Sequence, residues 1–348
     1  MEPARALRRI AYLLERDGAE PYKVRAFRHA AIAVDELDRG RLEQLASSGR
    51  LREVPNLGET TARVVAEVIA GETPSYLTQL EAVGPGPLSP DAIGLRTVLR
   101  GDCHSHSDWS DGGSPVSEMA EAAIGIGHDY LAITDHSPHL TVAHGLTAER
   151  LRSQLEVIAG LNEELAPFRI LTGIEVDILE DGSLDQDEGL LAALDVVVAS
   201  VHSKLAMEAP QMTRRMVAAV ESPHSDILGH CTGRLVTGKG REPSSFDAEA
   251  VFSACARTGT AVEINSRPER RDPPEELLKL AVDLGCWVSI DTDAHAPGQL
   301  EWLGSGCEHA ARAGVPAASI VNAWPAEGLL EWTASHDRAV APRRGTTP

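Results

Sequence analysis

The 348-residue chain is poor in several things that would point to common functions. Its five cysteines, Cys103, Cys231, Cys255, Cys286 and Cys307, are scattered, and no Cys-x-x-Cys occurs. An odd, dispersed set argues against a disulfide framework and fits reduced thiols in a cytosol. No apolar run approaches the ~18 residues of a membrane span, and no secretory leader is visible, so a cytoplasmic protein with no membrane partner is expected. Positive charge is in deficit. The formal charge of −20 discourages nonspecific binding to nucleic acid or membrane. Residues 1–80 are electrically balanced, so the remainder carries the whole excess. Bound cations would offset part of it, and a solvated acidic surface would account for it equally well.

One stretch stands out against this background: Asp102-Cys103-His104-Ser105-His106-Ser107-Asp108-Trp109-Ser110-Asp111-Gly112. It follows a short apolar run, Val98-Leu99, read as a strand. Residues two apart on a strand share a face, so His104 and His106 project together and Cys103 faces away. Imidazole is a common ligand of transition metals. Asp111-Gly112 makes a turn that can fold a carboxylate back toward the pair. A lone His-x-His is compatible with a purely structural role. The weight comes from the recurrence of such endings further along.

Residues 1–80 read as helical. Leu7, Ile10, Tyr12 and Leu14 mark one amphipathic stretch; Tyr22 to Arg28 opens another. Val54-Pro55-Asn56-Leu57-Gly58 is a tight turn into a helix expected over 62–70. Such a turn either offers backbone N–H groups to a phosphate or simply packs two helices. A Gly/Pro-rich segment, 81–97, reads as a linker. From 98 to 336 short Val/Ile-rich runs alternate with helical patterns. The runs are Val98–Leu99, Tyr130–Ile133, Ile170–Val176, Val196–Val201, Ile227–Leu228, Ala261–Ile264 and Trp287–Ile290. Continuous apolarity predicts parallel strands buried on both faces, and about seven β/α units predict a barrel. Residues 337–348 read as a disordered tail.

The ends of these runs carry His104, His106 and Asp111; Asp135 and His136; Glu175; His202; His230; Asn265; and Asp293 and His295. In a barrel of this kind they meet at one mouth. Arg234 and Arg267 follow strand ends and would bind phosphate oxygens or pair with the many carboxylates. Asp135 would either orient a ligand histidine or cap a helix.

These words resemble the PHP (polymerase and histidinol phosphatase) family over residues 98–325. The matching segments include Asp102–Ser107, Ser110-Asp111-Gly112, Thr134–Ser137, Gly173-Ile174-Glu175, Ser200–Ser203, Ile227–His230, Thr232-Gly233-Arg234 and Asp293-Ala294-His295. Cys231 stands where that family usually has proline. The N-terminal words, Pro21 to Arg28, Gly49-Arg50-Leu51 and Pro55–Gly58, are similar to the small helix-hairpin-helix domain of bacterial family-X DNA polymerases. There is no room for a polymerase palm between the two regions, so polymerase activity is not expected. Val64 stands where related domains carry a Schiff-base lysine, so lyase chemistry is not expected either.

The resemblance implies an α/β fold, a distorted (β/α)7 barrel preceded by a small all-α helix-hairpin-helix domain. It also implies a trinuclear centre. One ion would take His104, His106, Glu175 and Asp293, a second Asp111, His136 and His295, and a third Glu175, His202 and His230. Two to three ions of Zn²⁺, Mn²⁺ or Fe²⁺ suit such ligands. Ions roughly 3.5–4 Å apart lower the pKa of a shared water toward about 7 and clamp a phosphoryl group. The expected activity is hydrolysis of a phosphate ester, on a small phosphomonoester or a DNA 3′-phosphate. The alternatives are a DNA 3′–5′ exonuclease or abasic-site endonuclease, and a non-catalytic DNA-binding module with structural metals. Weak DNA contact is expected from Lys23, Arg25, Arg28, Gly58 and Thr60.

Overall fold

Proline sets the start of the first two helices. A computed structural model of the chain describes residues 1–339; most of the expected tail, 340–348, lies outside them, and 337–339 continue the last helix. Pro3 opens α1 (Pro3–Arg16) and Pro21 opens α2 (Pro21–Asp35), at positions where a missing N–H costs nothing. Three more helices follow: α3 (Arg39–Ser47), α4 (Glu59–Ile69) and α5 (Ser75–Val83). The expected stripe of α1 is buried at Leu7, Ile10 and Leu14, against Phe27, Ala30, Val34, Leu45, Val64 and Val65. Burial of each such large side chain contributes about 1.5–3 kcal/mol. The turn before α4 is built as expected, with Asn56 at φ 66° and Gly58 as N-cap, but the helix begins at Glu59, three residues early.

These helices form one compact unit, Met1–Pro87 with the short segment Ala296–Gln299. The second unit runs from Leu88 to His295 and resumes at Leu300. The boundary falls inside the stretch expected as a linker. That stretch is partly helical: Ser89 caps α6 (Pro90–Val98), whose Ala92 and Leu95, with Leu99 just beyond it, enter a core. Val98 and Leu99 are therefore not a strand. A two-residue apolar run fits either period, and here the helix spacing Ala92, Leu95, Leu99 prevails. The first strand is β1 (Gly101–Asp102).

Six strands follow: β2 (Tyr130–Ile133), β3 (Arg169–Asp177), β4 (Val196–Ser200), β5 (Ile227–Leu228), β6 (Ala261–Asn265) and β7 (Val288–Asp291). All neighbours pair in parallel, in chain order, with Glu175 opposite Val198 and Ile264 opposite Ile290. Helices lie between them: α7 (Val116–Gly125), α8 (Ala148–Leu165), α9 (Glu188–Leu191), α10 (Ala209–Val220), α11 (Ala248–Thr258) and α12 (Glu275–Asp283), with α13 (Leu303–Ala313) and α14 (Ala326–Ala339) after β7. Thr147 caps α8, its hydroxyl accepting the Arg150 N–H at 3.3 Å.

Closure between β7 and β1 is irregular, which is the distortion expected of the barrel. A single bridge joins Ser105 and Ala294. Side chains do the rest: Asp291 accepts the Cys103 N–H at 2.7 Å, and Asp102 accepts both the N–H and the hydroxyl of Thr292. Asn322 donates to Gly101 O at 3.0 Å and to Ile290 O at 2.7 Å. All five cysteines are free and buried, and no described helix is long and apolar enough to cross a membrane.

Candidate metal centre

Glu175 stands inside β3 with its carboxylate fully buried and ringed by five imidazoles. His230 Nε2 is 2.8 Å from Oε1 and His202 Nε2 is 3.2 Å from it. His136 Nδ1, His104 Nε2 and His106 Nε2 lie 2.9, 3.4 and 3.6 Å from Oε2. Asp293 faces the same space, 3.3 Å from His106 Nε2 and 3.9 Å from His104 Nε2. Asp111 closes the outer side, 3.3 Å from His295 Nε2 and 3.5 Å from His136 Nε2. All nine residues read as ligands come together. Three overlapping sets have ligand atoms close enough to share a cation: His106, Asp111, His136 and His295; His104, His106 and Glu175; and His136, Glu175 and His202.

Local backbone explains how the chain reaches this arrangement. Gly112 N donates to Ser107 O at 2.9 Å, folding Asp111 back toward the histidines; a Cβ on Gly112 would sit 2.6 Å from that carbonyl. Asp293 at φ 53° and His230 at φ 21° adopt the left-handed region, which costs a non-glycine residue on the order of 1–3 kcal/mol. Two carboxylates hold the imidazoles from behind. Glu263 takes His104 Nδ1 at 2.6 Å and accepts the backbone N–H of His230, while Asp177 takes His202 Nδ1. Both are missed by the reading of strand ends. Asp177 is two residues past Glu175 on the same strand face, and Glu263 is a lone carboxylate in an apolar strand. Those are the signals that mark them.

The cluster has too many donors and too few partners. His104 Nε2, both nitrogens of His106, His136 Nδ1, His230 Nδ1 and Glu175 Oε2 are buried without a hydrogen bond. The 2.9 Å contact of His136 with Glu175 is close but misaligned. Burial alone raises the Glu175 carboxyl, yet His202, His104 and His136 hold it well below the usual carboxylate range. Burial likewise works against protonated His104, while Glu263 and Glu175 raise it; His106 is driven well down by burial and by His295 and His136. Unpaired buried polar atoms each cost about 1–3 kcal/mol. Five buried imidazoles cannot all carry protons, and neutral ones leave lone pairs facing one another. Divalent cations remove both difficulties, so the residues present fit a cluster of metal ions.

The other expected site residues fare differently. No hydrogen bond joins the Asp135 carboxylate to a histidine among the described residues. Its oxygens accept from Ser107 N at 2.9 Å, Ser107 Oγ at 2.6 Å, Gln154 Nε2 at 2.6 Å and Ser110 Oγ, so it braces the loop that carries Asp111. Arg234 donates to the carbonyls of Arg270 and Arg271 and clamps a loop. Arg267 does reach the centre, with Nη1 3.5 Å from Asp293 and 3.3 Å from His295 Nδ1. Arg270, unremarked in the sequence, lies 3.2 Å from the other Asp293 oxygen. In the helical unit Arg28 is not available to DNA. It forks onto buried Glu15 at 2.7 and 3.0 Å. Lys23, Arg25 and Gly58 are exposed and Thr60 is half-buried.

A barrel of parallel strands, whose mouth gathers five histidines around one buried glutamate, defines a metal-centred hydrolase architecture. Residues 102–267 match the PHP domain and residues 1–74 a helix-hairpin-helix domain. The chain belongs to the PHP-domain family of metal-dependent phosphoesterases. It is 42% identical over 225 residues to the DNA polymerase/3′-5′ exonuclease PolX of Bacillus subtilis, covering 65% of this chain and 39% of that protein. It thus spans about two fifths of that relative's length. It is 31% identical over 212 residues to a probable phosphatase of Thermoanaerobacter sp., covering 58% of this chain and 80% of that one. A solved histidinol phosphate phosphatase from Lactococcus lactis matches with a TM-score of 0.44 at 16% identity, over 69% of this chain and 93% of its own.

Proposed function

We propose that the barrel hydrolyses phosphate esters at a centre of two to three divalent ions, with Glu175 bridging. The ligand sets are His104, His106, Glu175 and Asp293; Asp111, His136 and His295; and Glu175, His202 and His230. The observation that carries this reading is the set of orphaned imidazole nitrogens around one buried carboxylate. Zn²⁺, Mn²⁺ and Fe²⁺ all suit mixed imidazole and carboxylate ligands. Such ions, when bound, supply a nucleophilic water near neutral pH and neutralise charge on the phosphoryl group.

The chain's own residues do the rest. Glu263 and Asp177 fix which nitrogen of His104 and of His202 faces inward. Arg267 and Arg270 flank Asp293 and present N–H groups to phosphoryl oxygens beside the ions. A purely structural metal site is closed. Here Asp111 is 36% exposed at its side chain and His295 18%, which favours a site that substrate can enter. That speaks against the non-catalytic module.

A second reading, processing of DNA 3′ ends, is favoured by the helix-hairpin-helix match and by the exonuclease named among the relatives. Lys23, Arg25, Gly58 and Thr60 are its contacts in the helical unit. The test is hydrolysis of an aryl phosphate and of gapped DNA bearing a 3′-phosphate. A chelator and Glu175→Gln should each abolish both activities, the variant by more than the ~10–100-fold expected of an outer partner. Near-normal rates with Glu175→Gln would overturn the bridging role.

A further inference from the structure

Two loops on the barrel concentrate positive charge in a chain that is otherwise strongly acidic. A hairpin follows β5, closed by paired bonds between Leu235 and Arg241 at 3.0 and 2.9 Å. Its tip carries Lys239 between Gly238 and Gly240, both at φ 68°. A second loop follows β6 and holds Arg267, Arg270 and Arg271. The two are locked together. Val236 N donates to Glu269 O at 2.7 Å, Arg234 Nε donates to Arg270 O at 3.1 Å, and buried Asp272 accepts the Thr232 hydroxyl at 2.8 Å.

The cations divide into two groups. Arg267 and Arg270 lean inward onto Asp293. Lys239, Arg241 and Arg271 are exposed and form no ion pair among the described residues. Arg241 Nε is steadied by Gly233 O at 2.6 Å, and Arg271 is held at φ 47°, a conformation costly for so large a side chain. Of the carboxylates nearby, Glu269 is committed to Arg267 and Asp272 to Thr232, and only Glu242, next to Arg241, is exposed without a partner among the described residues, so the cations outnumber the free acids.

We propose that this hairpin and loop form a rim that grips the backbone phosphates of a nucleic-acid strand whose terminal ester lies at the metal centre. The inference rests on the phosphoesterase reading and names its substrate class. A single phosphoryl group is served by the ions, Arg267 and Arg270. Three further cations without ion pairs on the joined loops have no use for one phosphate but can serve the further phosphates of a strand. The net charge of −20 lies wholly in residues 81–348, so the rest of the barrel repels a polyanion and favours its seating on the rim.

The test uses the full chain with its metals and the combined variant Lys239→Gln, Arg241→Gln, Arg271→Gln, none of which touches the ligand cluster. Binding of a fluorescent phosphorothioate oligodeoxynucleotide, and of its RNA counterpart, is followed by anisotropy against salt. Hydrolysis of an aryl phosphate is measured alongside. The expected result is binding of at least one strand weakened about tenfold or more at low salt, with a salt slope shallower by about 2, given ~0.7 per phosphate contact on a single strand. Aryl phosphate hydrolysis should be unchanged. Equal strand affinity and slope in the variant would overturn the proposal, as would equal loss on the aryl phosphate. Rim-dependent strand binding without hydrolysis of any ester would refute the phosphoesterase reading and leave the rim standing.

Discussion

The helical unit and the barrel mouth each gather charged side chains, and they use them in opposite ways. In the helices several cations meet carboxylates: Arg8 pairs with Asp35, Arg9 with Glu81, Arg16 with Asp17 and Arg28 with Glu15. In the barrel mouth imidazoles crowd one carboxylate and leave ring nitrogens with nothing to bond. A polar group with its partner in the fold is holding the fold. Several orphaned together in a buried place point to a partner from outside. Arg28, half-buried on Glu15, and His104, wholly buried beside Glu175, show that residue type alone does not tell the two situations apart.

The largest effect that would break this comparison is on Arg28. If it holds the helices, Arg28→Ala strands the buried Glu15 charge and lowers stability by about 3 kcal/mol, the range for one half of a buried pair. Lys23→Ala and Arg25→Ala, both exposed, should stay within about 0.5 kcal/mol. Thermal unfolding of the full chain reads the difference, and equal small losses at all three positions would make Arg28 another surface cation.

Next comes the support behind the ligands. Glu263→Gln and Asp177→Asn keep shape but weaken the hold on His104 and His202. Each should cost ~10–100-fold in metal affinity, read by competition with a chromophoric chelator. Unchanged affinity would mean these carboxylates only fill the barrel.

His128 sharpens the comparison at smaller scale, because it is an orphan without company. Both of its ring nitrogens are buried and unbonded, and no carboxylate pairs with it among the described residues. Burial, with a smaller push from Arg96, lowers it to about 3. Its folded value lies below its unfolded one of about 6.5. Its contribution is therefore present above pH 6.5 and is lost as pH falls toward 3, by at most about 1.4 kcal/mol per pH unit. His128→Leu should remove that slope from urea unfolding measured between those limits. An unaltered slope would mean His128 is solvated in the folded state.

Much of the barrel is legible in the sequence because β2 to β7 are short Val/Ile-rich runs that end on ligand-type residues, and parallel strands buried on both faces leave that mark. The first strand is not. Gly101–Asp102 is only two residues long, and the apolar pair before it belongs to α6. The residues expected as ligands are legible from the runs they end or follow, whereas the carboxylates behind them are not. Glu263 lies inside β6 and Asp177 closes β3, and their purpose depends on which histidine the fold brings opposite. Arg234 and Arg28 depart from expectation for the same reason. Their partners are the carbonyls of Arg270 and Arg271 and the carboxylate of Glu15, and no local pattern announces them.

The central claim is that the orphaned nitrogens around Glu175 are metal ligands. Elemental analysis of the protein, produced with zinc and manganese supplied and freed of loose ions, tests it without reference to any substrate. Two to three transition ions per chain are predicted. Fewer than one per chain would contradict the account.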